Sequence, residues 1–219
     1  NLYLQDMNTA KVKNLSQMFR GCESLKSVNM TGWNTSKVTT MYAMFSGCSA
    51  LTTIDGIGAF DTKKVEQMNL MFSGSSSLSS LSLDNFTSES LTNVSSMFEK
   101  CSSLTSLSLN GLEGMKLTNT AAMFADCAKL KTLNIKSLTG KDENFTFRDY
   151  YGGMFNNVPS TLTSNINYGL VDKIKDQIPG KPSATYDENY KVIYGTVTSQ
   201  NRNVLIFLRN TRSEERRVG

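Results

Sequence analysis

Four thiols standing in register carry the sharpest chemistry in this sequence of 219 residues. Cys22, Cys48, Cys101 and Cys127 each follow a Met-Phe pair at the same distance, with Ser75 in the equivalent place of one repeat. Four cysteines could form a disulfide framework outside the cell or a tetrahedral metal centre with four thiolate ligands. Histidine is absent. That removes the commonest general base near neutral pH, the usual partner of a nucleophilic Ser or Cys, and any mixed Cys/His zinc site. Catalysis would then need paired carboxylates. Asp126 with Asp142 and Glu143 are the nearest candidates, but no motif joins them. The chain therefore reads as a non-enzyme with no metal and no cofactor.

The elements that must hold the thiols decide how they are used. Met-Phe recurs at Met18-Phe19, Met44-Phe45, Met71-Phe72, Met97-Phe98, Met123-Phe124 and Met154-Phe155, at intervals of 26, 27, 26, 26 and 31 residues. Around the first five pairs the same columns repeat. Val12, Val38, Val65, Leu91 and Leu117 lie six before the Met; Leu15, Met41, Met68 and Val94 lie three before it, with Thr120 as the exception. Leu25, Leu51, Leu78, Leu104 and Leu130 come seven after it, and Val28, Ile54, Leu81, Leu107 and Leu133 ten after it. Self-similarity at this period is the mark of a repeat architecture.

Each unit holds two periods. Its first half has the three- and four-residue apolar spacing of a helical stripe, with Thr35-Ser36 and Thr62 placed to cap it. Its second half reads LKSVNM, LSSLSL, LTSLSL or LKTLNI, the L-x-x-L-x-L strand signature of a leucine-rich repeat. A bulky residue follows: Trp33, Phe60, Phe86, Leu112 or Leu138. The expected fold class is an α/β solenoid, a leucine-rich-repeat-like right-handed coil with one short parallel strand and one short helix per ~26-residue repeat. Gly56 and Gly58 in the 27-residue interval mark a local bulge. Helices packed side by side would hold neighbouring cysteines ~8–10 Å apart, beyond the ~7 Å that a disulfide tolerates between Cα atoms. The thiols read as small buried fillers, and Met-Phe as core.

The Met-Phe-x-x-Cys spacing resembles the BspA-like leucine-rich-repeat family of surface proteins, whose repeats combine V-x-x-M-x-x-M-F-x-x-C-x-x-L with a following L-x-L strand. The resemblance covers about residues 1–166. It implies a cell-surface or secreted, mostly bacterial protein of the adhesin type, with no general enzymatic activity. The position where many leucine-rich repeats carry an inward Asn is apolar here, at Trp33, Phe86 and Leu112, so a polar Asn ladder does not transfer.

Residues 1–166 are read as the repeat domain: a partial first coil, five regular repeats and a degenerate terminal one. Leu2, Leu4, Met7 and Val12 match Leu81, Leu83, Phe86 and Leu91, so the chain begins within a strand, as a fragment of a longer protein would. Residues 167–201 are read as a C-terminal helix, over 168–182 and ended at Pro179-Gly180, then the start of a second strand-rich module at YKVIYGTVT. Residues 202–219 fit nothing before them and look like read-through. They also supply most of the net charge of +4, since the remainder holds 18 basic and 17 acidic residues. No clustered basic face shows in the repeats, which sets nucleic acid aside, and no stretch approaches the ~18–20 apolar residues of a membrane helix.

Candidate binding residues are the outward strand positions Ser27, Asn29, Thr53, Asp55, Ser80, Ser82, Ser106, Ser108, Thr132 and Asn134, which stacking would align in two polar columns. The expected function is an extracellular interaction or adhesion module presenting this face to a surface protein or glycan. The alternative is a stalk or spacer with no ligand of its own.

Overall fold

Two hydrogen-bonding habits of the same repeat account for the architecture. The computed structural model describes residues 1–112, 117–135, 153–167, 181–187 and 192–198. Where Leu or Val alternates with Ser, Thr or Asn, the chain extends and pairs with its copy one repeat away. The strands are β1 (Leu2–Tyr3), β2 (Ser27–Asn29), β3 (Thr53–Asp55), β4 (Ser80–Ser82), β5 (Ser106–Ser108), β6 (Thr132–Ile135), β7 (Thr163–Asn167), β8 (Lys181–Asp187) and β9 (Val192–Thr198). One sheet runs β1-β2-β3 and the other β4-β5-β6-β7-β9-β8. Strands β1–β3 and β4–β7 pair in parallel, Val28 opposite Ile54 and Leu81 opposite Leu107 opposite Leu133. The segment expected to alternate near the C-terminus is β9, which joins β7 antiparallel in that same sheet. The helix expected over 168–182 lies outside the described residues up to 180, and from Lys181 the chain is strand. Residues 202–219 also lie outside them.

The expected helix of each repeat is not formed. Among the described residues the one helical segment is a 3-10 turn at Ile57–Ala59, and no helix is long and apolar enough to cross a membrane. The Met-Phe half is instead a ladder of tight turns. Amides alternate between two destinations: Arg20 N, Cys22 N and Leu25 N donate to the carbonyls three residues back, at 3.0–3.1 Å. Leu15, Gln17, Phe19 and Gly21 donate across to Thr40, Tyr42, Met44 and Ser46 of the next repeat, at 2.7–3.1 Å. A helix would keep every amide within its own segment. Left-handed backbone also forbids one: Gln17, Ala43, Leu70, Ser96 and Ala122 stand just before the Met of the first five pairs with φ between 51° and 60°. Three-residue apolar spacing thus serves a turn ladder as well as a helical stripe.

Stacking builds the core. Phe19, Phe45, Phe72, Phe98, Phe124 and Phe155 form one column with successive ring centroids 5.2–6.0 Å apart. Four of these rings, Phe45, Phe72, Phe98 and Phe124, are wholly enclosed, each such burial contributing roughly 1.5–3 kcal/mol. Trp33 stacks on Phe60 at 6.2 Å and donates Nε1–H to Leu4 O at 2.8 Å. Thr35 and Thr62 do not cap helices. Their buried hydroxyls donate to Asp61 O and Thr87 O, 3.0 Å each, and continue a column with Thr9 and Ser88. A polar ladder is therefore present inside the stack, made of hydroxyls and placed where the sequence had not suggested one.

Among the described residues the strand side breaks between β3 and β4. Gly56 occupies the register of Met30, Leu83 and Leu109, and the inserted Ile57 reaches the core in its stead. Gly56 has φ +85°, and a Cβ there would stand 2.6 Å from Thr31 N. No strand pairing joins β3 to β4. Ile54 and Leu81, on either side of the break, are only partly buried, while Val28, Leu107 and Leu133 are enclosed.

Candidate functional site

The ten outward strand residues fall on one side of the molecule but in two blocks. Ser27 pairs with Thr53 and Asn29 with Asp55. Beyond the break, Ser80 aligns with Ser106 and Thr132, and Ser82 with Ser108 and Asn134. Ser27, Asn29, Ser108 and Asn134 are half-buried; Thr53, Asp55, Ser80, Ser82, Ser106 and Thr132 are exposed. The two columns expected to run unbroken are thus interrupted between Asp55 and Ser80, because the 27-residue repeat moves its extra residue into the strand's exit.

Asp84 gives the second block its most defined polar feature. Its Oδ1 accepts from Ser108 Oγ at 2.5 Å and from Asn110 N at 2.8 Å, and its Oδ2 from Ser82 Oγ at 3.0 Å. Burial pushes this carboxyl up, but the bonds from Ser108, Asn110 and Ser82 outweigh it and hold it below the ordinary carboxylate value. Asp84 ties two repeats together at the edge of the face. Sequence reasoning passed over it because it lies one residue beyond the L-x-L alternation. Nearby, Thr132 Oγ1 meets Ser106 Oγ at 2.8 Å, so the face is already internally hydrogen-bonded.

The thiols are free, Cys22 exposed and Cys48, Cys101 and Cys127 buried. Because neighbouring repeats hydrogen-bond directly, their spacing is that of strands, ~4.8 Å, not the wider spacing of packed helices. Each buried member donates to the Phe carbonyl of the repeat before it: Cys48 to Phe19 O at 3.0 Å, Cys101 to Phe72 O and Cys127 to Phe98 O at 3.1 Å. Ser75 does the same to Phe45 O at 2.9 Å. The column thus selects a small hydrogen-bond donor, more than a filler. Burial pushes the Cys48 thiol up to about 11, with Cys22 adding to it, and the Cys127 thiol up to about 12; burial also raises the Cys101 thiol well above its ordinary value, with Cys127 contributing. Protonated thiols at neutral pH serve as donors, whereas nucleophiles and metal ligands need thiolate. Among the described residues no group of three or more Cys, Asp or Glu gathers to hold a metal ion. A recess of about 480 Å³ beside the first repeat is lined by Leu2, Phe19, Cys22, Glu23 and Leu25 among others, with one carboxylate.

Stacked parallel strands, a shared 26-residue register and a polar outer face define a repeat protein. A family model described as Mycoplasma protein of unknown function, DUF285, matches at residues 1–55, 13–138 and 51–164, and the chain belongs to that family. The three matches overlap, as a sequence that resembles itself every 26 residues requires. This finding replaces the BspA-like assignment, which rested on a spacing of Val, Met, Phe, Cys and Leu that does not define that family alone. No curated protein and no solved structure matches the chain.

Proposed function

We propose that the repeats form a solenoid, wound right-handedly in the manner of leucine-rich-repeat proteins, whose strand face binds an extracellular protein or glycan. The supporting observation is the sorting of side chains along the strands. Inward positions are Val, Ile or Leu, while all ten outward positions are Ser, Thr, Asn or Asp, on a rigid scaffold suited to recognition by many weak polar contacts. Partner identity then lies in the variable polar positions and in Asp84, not in Met, Phe or Cys. Screening the purified chain against extracellular-matrix proteins and a glycan array tests this. Saturable binding lost on Ser106→Glu with Ser108→Glu is expected, and saturable binding to nothing in either set counts against it. The cell-surface or secreted setting belongs to the same proposal. Protease treatment of intact cells should release the chain, and full protection would overturn that setting. The alternative, a stalk or spacer, draws its support from the Phe N to Met O bond, which recurs at each joint from the first Met-Phe pair to the last.

A further inference from the structure

Lysines scattered along the sequence become a row in the fold. Lys11, Lys37 and Lys64 lie 26 and 27 residues apart. Each takes the third position of the same turn, closed by Val12 N on Thr9 O, Val38 N on Thr35 O and Val65 N on Thr62 O, all at 2.9 Å. The turns are locked to one another. Thr9 Oγ1 donates to Asn34 O and Thr35 Oγ1 to Asp61 O, while Thr39 N donates to Lys13 O at 2.9 Å. Backbone spacing along the row is therefore that of hydrogen-bonded strands, ~4.8 Å.

All three side chains are exposed, with Lys13 and Lys63 exposed beside them. Among the described residues none of these five forms an ion pair with a carboxylate. Asp61 spends one oxygen on the Lys63 amide. Glu66 and Glu89 stand at the far end of the row, where Ser90 takes the place of lysine in the fourth repeat. Like charges directly opposite one another on neighbouring strands destabilise, so packing does not account for the row.

We propose that this ridge binds a linear acidic polysaccharide, its carboxylate or sulfate groups meeting the stacked ammonium groups in turn. Ser36 Oγ and Thr39 Oγ1 lie beside the lysines; they donate to Asn34 Oδ1 at 2.7 Å and to Lys13 O at 3.4 Å, which leaves their lone pairs to accept from sugar hydroxyls. Single-stranded nucleic acid fits less well, because it calls for aromatic platforms and residues 9–13, 35–39 and 62–66 contain no aromatic side chain. The ridge is separate from the strand face, so its test stands independently of the function proposed above.

The full chain is titrated at physiological ionic strength with polygalacturonate, with neutral dextran, and with a single-stranded oligonucleotide. Two charge-matched variants are compared: Lys11→Ser/Lys37→Ser/Lys64→Ser, and Lys26→Ser/Lys129→Ser/Lys131→Ser. Polygalacturonate should bind saturably, the ridge variant should lose roughly tenfold in affinity, and the control variant less than about twofold. Circular dichroism of both variants should match the parent. Equal losses in the two folded variants, oligonucleotide binding as tight as polygalacturonate, or no saturable binding would each overturn the proposal.

Discussion

The turn side and the strand side of the stack obey different rules, although every repeat contributes to both. On the turn side the bond from Phe N to the next Met O recurs at 2.8–2.9 Å at all five joints, from Phe19–Met44 to Phe124–Met154. Phe rings and thiol or hydroxyl donors follow the same line. On the strand side the sheet stops at Asp55 and restarts at Ser80. The extra residue of the 27-residue repeat is admitted only there. At the turn-side joints each Phe is fixed through both a backbone bond and a packed ring, so an insertion would break several contacts together. The strand side is held by three-residue ladders and can yield one of them. Variation that could carry recognition is tolerated where the scaffold is lightest.

The largest test of this contrast is at the break. Gly56→Ala should cost about 3 kcal/mol, since it adds left-handed strain to a clash with the Thr31 backbone. Gly58→Ala, which meets open space, should cost far less. Urea unfolding measures both, and equal costs would show that the break is not held by Gly56.

Next in size is a flaw on the turn side. Thr120 sits in the column of Leu15, Met41, Met68 and Val94, is fully buried, and its hydroxyl has no partner among the described residues. Thr120→Val should raise stability by about 1–2 kcal/mol; a destabilised variant would mean that the hydroxyl is satisfied and the column less apolar than its other members.

A smaller effect separates donor from filler. Cys101→Ser should preserve stability to within a few tenths of a kcal/mol, whereas Cys101→Ala should lose about 1 kcal/mol with the bond to Phe72 O. Identical losses in thermal unfolding would return the column to simple packing.

The smallest effect belongs to the strand side. The Asp84 carboxyl is held below its ordinary value of 3.8. Its contribution is therefore present above that value and lost as pH falls through the lower folded one. Asp84→Asn should flatten the acid limb of a stability–pH curve while leaving the Phe stack intact. An unchanged limb would remove Asp84 as a tie between repeats.

Much of this was legible before any coordinates. The inward Val28, Ile54, Leu81, Leu107 and Leu133 and the inward Met-Phe pairs follow from spacing, because period and burial are linked along a single chain; Met18 of the first repeat is the exception and is exposed. The outward polar columns follow too, but not their break between Asp55 and Ser80. The helix was misread for a physical reason. Both a helix and a turn ladder place apolar residues three apart, and they differ in whether Leu15 N or Phe19 N bonds within its repeat or across to the next. That choice leaves no trace in local pattern. Thr35 and Thr62 were misassigned as caps for the same reason: their partners are residues 26 and 25 positions away. The row formed by Lys11, Lys37 and Lys64 was equally hidden, since it is a property of stacking. The BspA-like resemblance failed because one spacing of core residues serves more than one family.

The sameness of the Phe-to-Met joints has a consequence for heredity. An exchange between equivalent positions of two repeats would yield a chain longer or shorter by a whole repeat. Every joint in the product still sets Phe on Phe and amide on Met carbonyl, so the altered chain inherits a core without having to invent one. Such a change would alter the number of stacked repeats, and the polar face would gain or lose positions in blocks.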